Sequence, residues 1–347
     1  MPAAGPAHDS DARVEKVVGP YRIISNPSTM SKPALALTAR MLPWAALLLP
    51  PLFWAGNFIA GRAMRDAMTP MTLALGRWLI ALVCLLPFAW RGMRRDARRY
   101  LAHRWLILGT AVTGVAAFSS LVYVGLHTTS ASNGLLLNSL IPLLIVLAGA
   151  VFYRQRLTAG QGVGLALSCA GVLTLVLQGQ WTQWRQVTLV PGDAILLVAM
   201  VCFSFYTLWL RQLPQDLDRI GLTAMQIVIA IVVLLPFWMA EHAGIARTDW
   251  TLTSAAALLY VGLFPSVGAY LLYTRAVQHF GPARAGLSIH LIPVFGVVLS
   301  ALVLHEQLHT FHAVGIAAIA AGLVCSNLRP AGRAARRGQR HRAPGNT

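Results

Sequence analysis

The sequence predicts an all-α membrane protein of ten transmembrane helices, arranged as two inverted five-helix repeats. Three observations carry this reading. Of 347 residues, 56% are apolar and only 11% charged, whereas a soluble chain carries about 25% charged residues. The basic residues fall almost wholly on alternate sides of the apolar segments. The chain also matches itself at a spacing of about 150 residues.

The composition sets the class before any motif is read. At roughly 20 residues per transmembrane helix, about 194 apolar positions would fill nine or ten spans. A mean hydropathy of +0.62 agrees. A soluble enzyme, a disordered protein and a secreted disulfide scaffold are excluded. The net charge of +17 would point to nucleic acid in a soluble chain. Here it is topological, because cytoplasmic loops collect Lys and Arg. Cys84, Cys169, Cys202 and Cys325 stand singly within apolar runs and read as small buried residues.

Residues 1–33 are polar and mixed, which predicts a disordered cytoplasmic tail rather than a signal peptide. Apolar windows follow at 41–61, 71–90, 105–126, 131–152 and 159–178. Five more fall at 192–211, 222–240, 253–274, 283–304 and 311–328. Residues 329–347 carry six arginines and predict a second disordered tail, held near anionic headgroups. With the N-terminus inside, 23 of the 28 basic residues face the cytoplasm and four face outward, leaving Arg77 within a span. That split predicts that both termini and the 91–104 loop are cytoplasmic.

The self-similarity divides the spans into repeats over 34–178 and 190–328. WLIALVCLLPFAW (78–90) matches IVIAIVVLLPFWM (227–239). At an offset of 151 the window 131–176 keeps 12 identities, among them Pro142/Pro293, Gly164/Gly315 and Gly171/Gly322. Five is an odd number, so the second copy inserts upside down. Secondary transporters recur to this construction, in which two halves open a site alternately to each side. Pro142 and Pro293 fall about ten residues into their spans, where a proline removes a helix hydrogen bond. Broken backbone at that depth lines protein or a cavity, and a plain kink in a packed helix is the alternative.

Polar groups inside spans are the candidate site. Arg77 lies about 10 Å below the outer surface, where a charge faces a cavity or a partner. It either serves function, snorkels outward, or pairs with Asp193 or Glu306. Trp54, Asn57, Asn138, Tyr206, Tyr270 and His290 join it as substrate-contact candidates, and Asn133 is a further polar group in a span; for each polar one, interhelical hydrogen bonding is the bland alternative. Asn138 and His290 stand out, because they flank the two prolines. Trp54 faces either lipid or cavity.

The residues WAGNFIAGR (54–62), PMTLALGRWLIALVCLLPF (70–88), HTTSASNGLLLNSLIPLLIVLAGAVF (127–152) and FGPARAGLSIHLIPVFGVVLSALVLHEQL (280–308) resemble the EamA family of the drug/metabolite transporter superfamily. The resemblance covers 41–328 and implies a ten-helix exporter or permease for amino acids, their derivatives and other small metabolites. It also matches Arg77 to the family's second-helix arginine. The family ends the fourth helix of each repeat in a Gly-Glu-Arg-Leu-like run. Glu306 keeps the glutamate, but the first repeat has Gln155, which departs from any mechanism needing paired carboxylates. Relatives that export lipophilic cations carry a first-span glutamate. No acidic residue lies between Glu15 and Asp66 here, so an anionic or zwitterionic substrate is expected.

HEQLH at 305–309 fits the H-E-x-x-H zinc pattern, but a catalytic zinc needs a third protein ligand and no acidic residue follows Glu306. No metal, cofactor or catalytic residue is therefore expected, and an intramembrane zinc protease is a remote alternative. A lipid or lipid-linked sugar flippase on the same fold is the nearer one. The expected partners are a small-molecule substrate and membrane lipid, without nucleic acid; a homodimer is left open. The expected setting is the bacterial inner membrane.

Overall fold

The structure, a computed structural model, describes residues 32–129, 134, 137–182, 190–243, 248–303 and 309–327. Both tails, Asn133 and the 304–308 run containing His305 and Glu306 lie outside these residues. The chain divides into two units. In Met1–Arg40, the described residues 32–40 are helical and open α1 (Lys32–Ala63). The unit Met41–Thr347 consists, among its described residues, of helices joined by turns and short irregular links.

In that second unit, α1 is followed by α2 (Pro70–Ala102), α3 (Arg104–Thr110), a π-helical segment (Ala111–Ala117) and α4 (Phe118–Thr128). Next come α5 (Ile141–Tyr153), α6 (Ala159–Val176), α7 (Pro191–Leu210) and α8 (Arg219–Ala243). α9 (Leu252–Val261), a second π segment (Gly262–Gly268) and α10 (Ala269–Phe280) follow. The chain then forms α11 (Pro282–Leu287), a 3₁₀ turn (Ser288–His290), α12 (Leu291–Val303) and α13 (Thr310–Asn327). Among the described residues, seven helical segments are long and apolar enough to cross a membrane. Three apolar helices are shorter: Ile141–Tyr153, Ala159–Leu175 and Thr310–Ser326.

One expected loop is a helix. α2 runs without interruption through RGMRRDARRY to Ala102. Arginine propagates a helix well, and Asp96 pairs with Arg95 at 3.2 Å and Arg99 at 3.7 Å along the same turns. At 1.5 Å per residue α2 is about 50 Å long, well beyond the roughly 30 Å hydrocarbon layer. Its projecting end is fastened to the start of α8. Asp96 accepts the Asp218 N–H at 3.0 Å, and Arg99 donates to Asp216 at 2.6 Å. That hydrogen bond holds the exposed Asp216 carboxyl below the usual carboxylate range. At the opposite end, the Met71 N–H donates to Glu241 at 3.1 Å, and Thr72 Oγ1 lies 3.2 Å from His242 Nε2.

α6 and α13 cross with backbones touching. A Cβ on Gly164 would lie 2.5 Å from the Gly322 carbonyl oxygen, and one on Gly171 2.6 Å from that of Gly315. Small residues permit this approach where hydrophobic burial gives no drive between helices. Ser168 donates to the Ile319 carbonyl at 3.5 Å between the two contacts.

The π segments have matching consequences. The Phe118 N–H reaches back five residues to Thr113 rather than four to Gly114. The Ala269 N–H likewise reaches Phe264 and passes over Pro265. Each wide turn thus releases a carbonyl for another partner, and such turns recur at functional sites. Tyr270 Oη donates to Gly114 O at 2.5 Å, and Trp54 Nε1 donates to Pro265 O at 3.3 Å.

Candidate functional site

A small cavity of about 20 Å³, room for roughly one water molecule, opens among α1, α2, α4, α7 and the two helix breaks. Its polar lining is Asn57, Arg77, Ser119 and Asn138, and its aromatic lining is Trp54, Phe58, Phe118 and Phe203. Val122, Ile141, Ile289 and Ile292 complete it.

Arg77 sits two turns into α2, which Thr69 caps by accepting the Thr72 N–H at 3.3 Å. The residue is 3% exposed. Its Nε donates to Ser266 Oγ at 2.7 Å, and Nη1 donates to Tyr123 Oη at 2.7 Å and to Asn57 Oδ1 at 3.3 Å. Tyr123 in turn donates to Asn57 Oδ1 at 2.7 Å. The guanidinium carbon lies 4.8 Å from the Trp78 ring centroid, within cation–π range. Every one of these partners is neutral. Among the described residues Arg77 has no carboxylate partner, and Nη2 has no hydrogen bond. A buried guanidinium solvated by neutral groups keeps its positive field for whatever enters the cavity.

The two amides extend that character. Because Asn57 Oδ1 is committed to two donors, its Nδ2 is the amide edge left over. Asn138 is 2% exposed and its Nδ2 has no partner. Ser119 is already satisfied, accepting from Trp78 Nε1 at 3.0 Å and donating to Val115 O at 2.6 Å.

Of the sequence candidates, Trp54, Asn57, Arg77 and Asn138 thus meet at one cavity. Tyr206 and Tyr270 form a layer behind Trp54: Trp54 and Tyr270 centroids are 6.0 Å apart, Tyr206 and Tyr270 5.9 Å. His290 lies beneath the floor, its Nε2 3.0 Å from Ser139 O. Pro142 occupies the first turn of α5 after a turn at 139–140, and Pro293 the first turn of α12 after the 3₁₀ turn. Asp193 accepts hydrogen bonds from Thr129 and from the Val190 N–H at the start of α7, not from Arg77. Glu306 is outside the described residues. Sequence reasoning missed Tyr123, Ser119 and Ser266. A buried arginine requires acceptors on neighbouring spans at its own depth, and that search would have found them.

Membrane-crossing apolar helices around a buried, cation-bearing cavity define a multi-pass membrane transport protein. The chain belongs to the EamA-like transporter family, which matches residues 42–177 and 190–328. It is similar to the "Uncharacterized transporter YyaM" of Bacillus subtilis, 24% identical over 80% of this chain and 90% of that one. It is also similar to a "Probable terminal-alkyne amino-acid exporter" of Streptantibioticus cattleyicolor, 28% identical over 83% and 94%. A crystal structure shares its fold at a TM-score of 0.63 and 18% identity, covering 87% of this chain and 99% of that one.

Proposed function

We propose that the chain is a secondary transporter exporting a small metabolite, an amino acid or a related anionic or zwitterionic compound, by alternating access. The cavity carries this reading: a buried guanidinium held by neutral partners, beside uncommitted amides, inside an apolar bundle. The amino-acid exporter among the relatives supports the substrate class.

Two inverted repeats over 34–178 and 190–328, ten spans in all, account for a pattern of matched positions. A two-fold relation joins a position to its own equivalent on the axis and makes off-axis contacts reciprocal. Ser139 meets His290, and Ser168 meets Ile319, each across 151 positions. Gly164 meets Gly322 while Gly171 meets Gly315. The released carbonyls, Gly114 and Pro265, share that offset, as do the cavity pairs Asn138/Ile289 and Ile141/Ile292. Ten crossings require the three shorter apolar helices to cross as well. In this scheme Arg77, Asn57 and Asn138 contact substrate, Trp54 closes over it, and the breaks at Pro142 and Pro293 flex. The protein sits in the bacterial inner membrane with both tails cytoplasmic.

The test is uptake into inside-out vesicles of labelled amino acids and aromatic acids, with and without the chain. Accumulation driven by an ion or substrate gradient, independent of ATP and lost in Arg77→Gln, is the expected result. Vesicles that accumulate none of these compounds above the empty control would refute the reading.

A further inference from the structure

The cavity has a one-sided hydrogen-bonding character. Its uncommitted groups are the Arg77 Nη2, the Asn57 Nδ2 and the Asn138 amide. Apart from the Asn138 amide oxygen, its side-chain acceptors are already engaged. Asn57 Oδ1 takes both Arg77 and Tyr123, and Ser119 Oγ takes the Trp78 indole. The nearby carbonyls released by the π segments are filled by Tyr270 and Trp54. No carboxylate lines the cavity among the described residues. The rest of the wall is aromatic and aliphatic.

A zwitterionic amino acid brought here would place its carboxylate well and its ammonium badly. Three N–H donors leaving water need acceptors or a counter-charge, and among the lining side chains only the Asn138 amide oxygen is unengaged. A ring face attracts an ammonium, but the fixed guanidinium beside it repels the same group. A carboxylate with no ammonium meets donors and a positive charge: the free Arg77 Nη2 and the N–H edges of two amides for its oxygens, and rings for its body.

We infer that this site selects a monocarboxylate with an apolar body and no free amino group, such as an aryl-substituted acid or an N-acylated amino acid, over the parent zwitterion. This rests on the transporter reading above and narrows its substrate class.

The experiment uses the full chain in proteoliposomes with four probes that share one ring: 3-phenylpropionate, N-acetyl-L-phenylalanine, L-phenylalanine and phenethylamine. Binding is read by thermal shift and by competition for uptake. The two acids are expected to bind at least ten-fold more tightly than phenylalanine, with phenethylamine inert. Asn138→Asp places a carboxylate in the cavity. It is expected to weaken the acids at least ten-fold and to bring phenylalanine level with them or ahead. Asn138→Ala, which adds no charge, should weaken the acids without favouring phenylalanine. Folding of each variant is checked by monodispersity in detergent.

Wild-type binding of phenylalanine as tight as that of the acids overturns the inference. If Arg77→Gln abolishes that binding, the transporter reading still stands. If no carboxylate probe binds or is transported by a folded protein, both fail. An Asn138→Asp variant that keeps the acid preference also overturns the inference.

Discussion

The imidazole Nε2 of His290 lies 3.0 Å from the carbonyl oxygen of Ser139, and the two residues are 151 positions apart. Since a carbonyl only accepts, this nitrogen carries the proton. The bond ties the two helix breaks together beside the cavity. His290→Leu should leave insertion intact and lower the melting temperature in detergent. The expected loss is about 1–2 kcal/mol, the range for interhelical hydrogen bonds in membranes. Unchanged stability would show that the bond does not brace the breaks.

The guanidinium prediction separates two roles for Arg77. Arg77→Gln should abolish transport while expression and thermal stability stay near wild type. Arg77→Lys keeps the charge but loses the planar fork, and should transport at least ten-fold more slowly. If Arg77→Gln fails to fold, the residue is structural; if it transports normally, the anionic-group argument is wrong.

The crossing of α6 and α13 leaves no space for a methyl group. Gly322→Ala would place its Cβ 2.2 Å from Ser168 Oγ and 2.5 Å from the Gly164 carbonyl. Overpacking of this kind costs about 1–3 kcal/mol, measurable as a drop in melting temperature. Gly162→Ala, on α6 with nothing within 4 Å of the added carbon, should be neutral.

The two released carbonyls make a paired test. Trp54→Phe and Tyr270→Phe each orphan one acceptor, at Pro265 and Gly114 respectively. Both should destabilise by about 1 kcal/mol, read by thermal unfolding, and by similar amounts. A large effect at one site and none at the other would break the equivalence.

Sidedness is tested by thiol labelling after replacing the four native cysteines. Arg98→Cys should react only when the membrane is permeabilised, and Asp66→Cys from outside on intact cells. Reactivity of Arg98→Cys from outside would overturn the inverted arrangement.

Much of the site was legible because charge and amide groups stand out against apolar sequence. Asn57, Arg77 and Asn138 were visible for that reason, and they meet Trp54 at the cavity. Tyr123, Ser119 and Ser266 were not, since a lone hydroxyl in a span usually bonds its own helix, as Ser119 also does. The π segments were not legible in the sequence, since the donors that fill their skipped carbonyls, Trp54 and Tyr270, come from other parts of the chain. The end of α2 was misread as a loop because its arginines signal sidedness more loudly than helix propensity.

The meeting of Gly164 with Gly322 and of Gly171 with Gly315 has a mechanical consequence. The two contacts are seven residues apart, about 10 Å along the helix, so they define a line rather than a point. Sliding α6 along that line would carry both glycines away from the carbonyls they face, whereas tilting about the line keeps them there. The crossing therefore resembles a hinge pin, resisting translation between the two helices more than rocking about it.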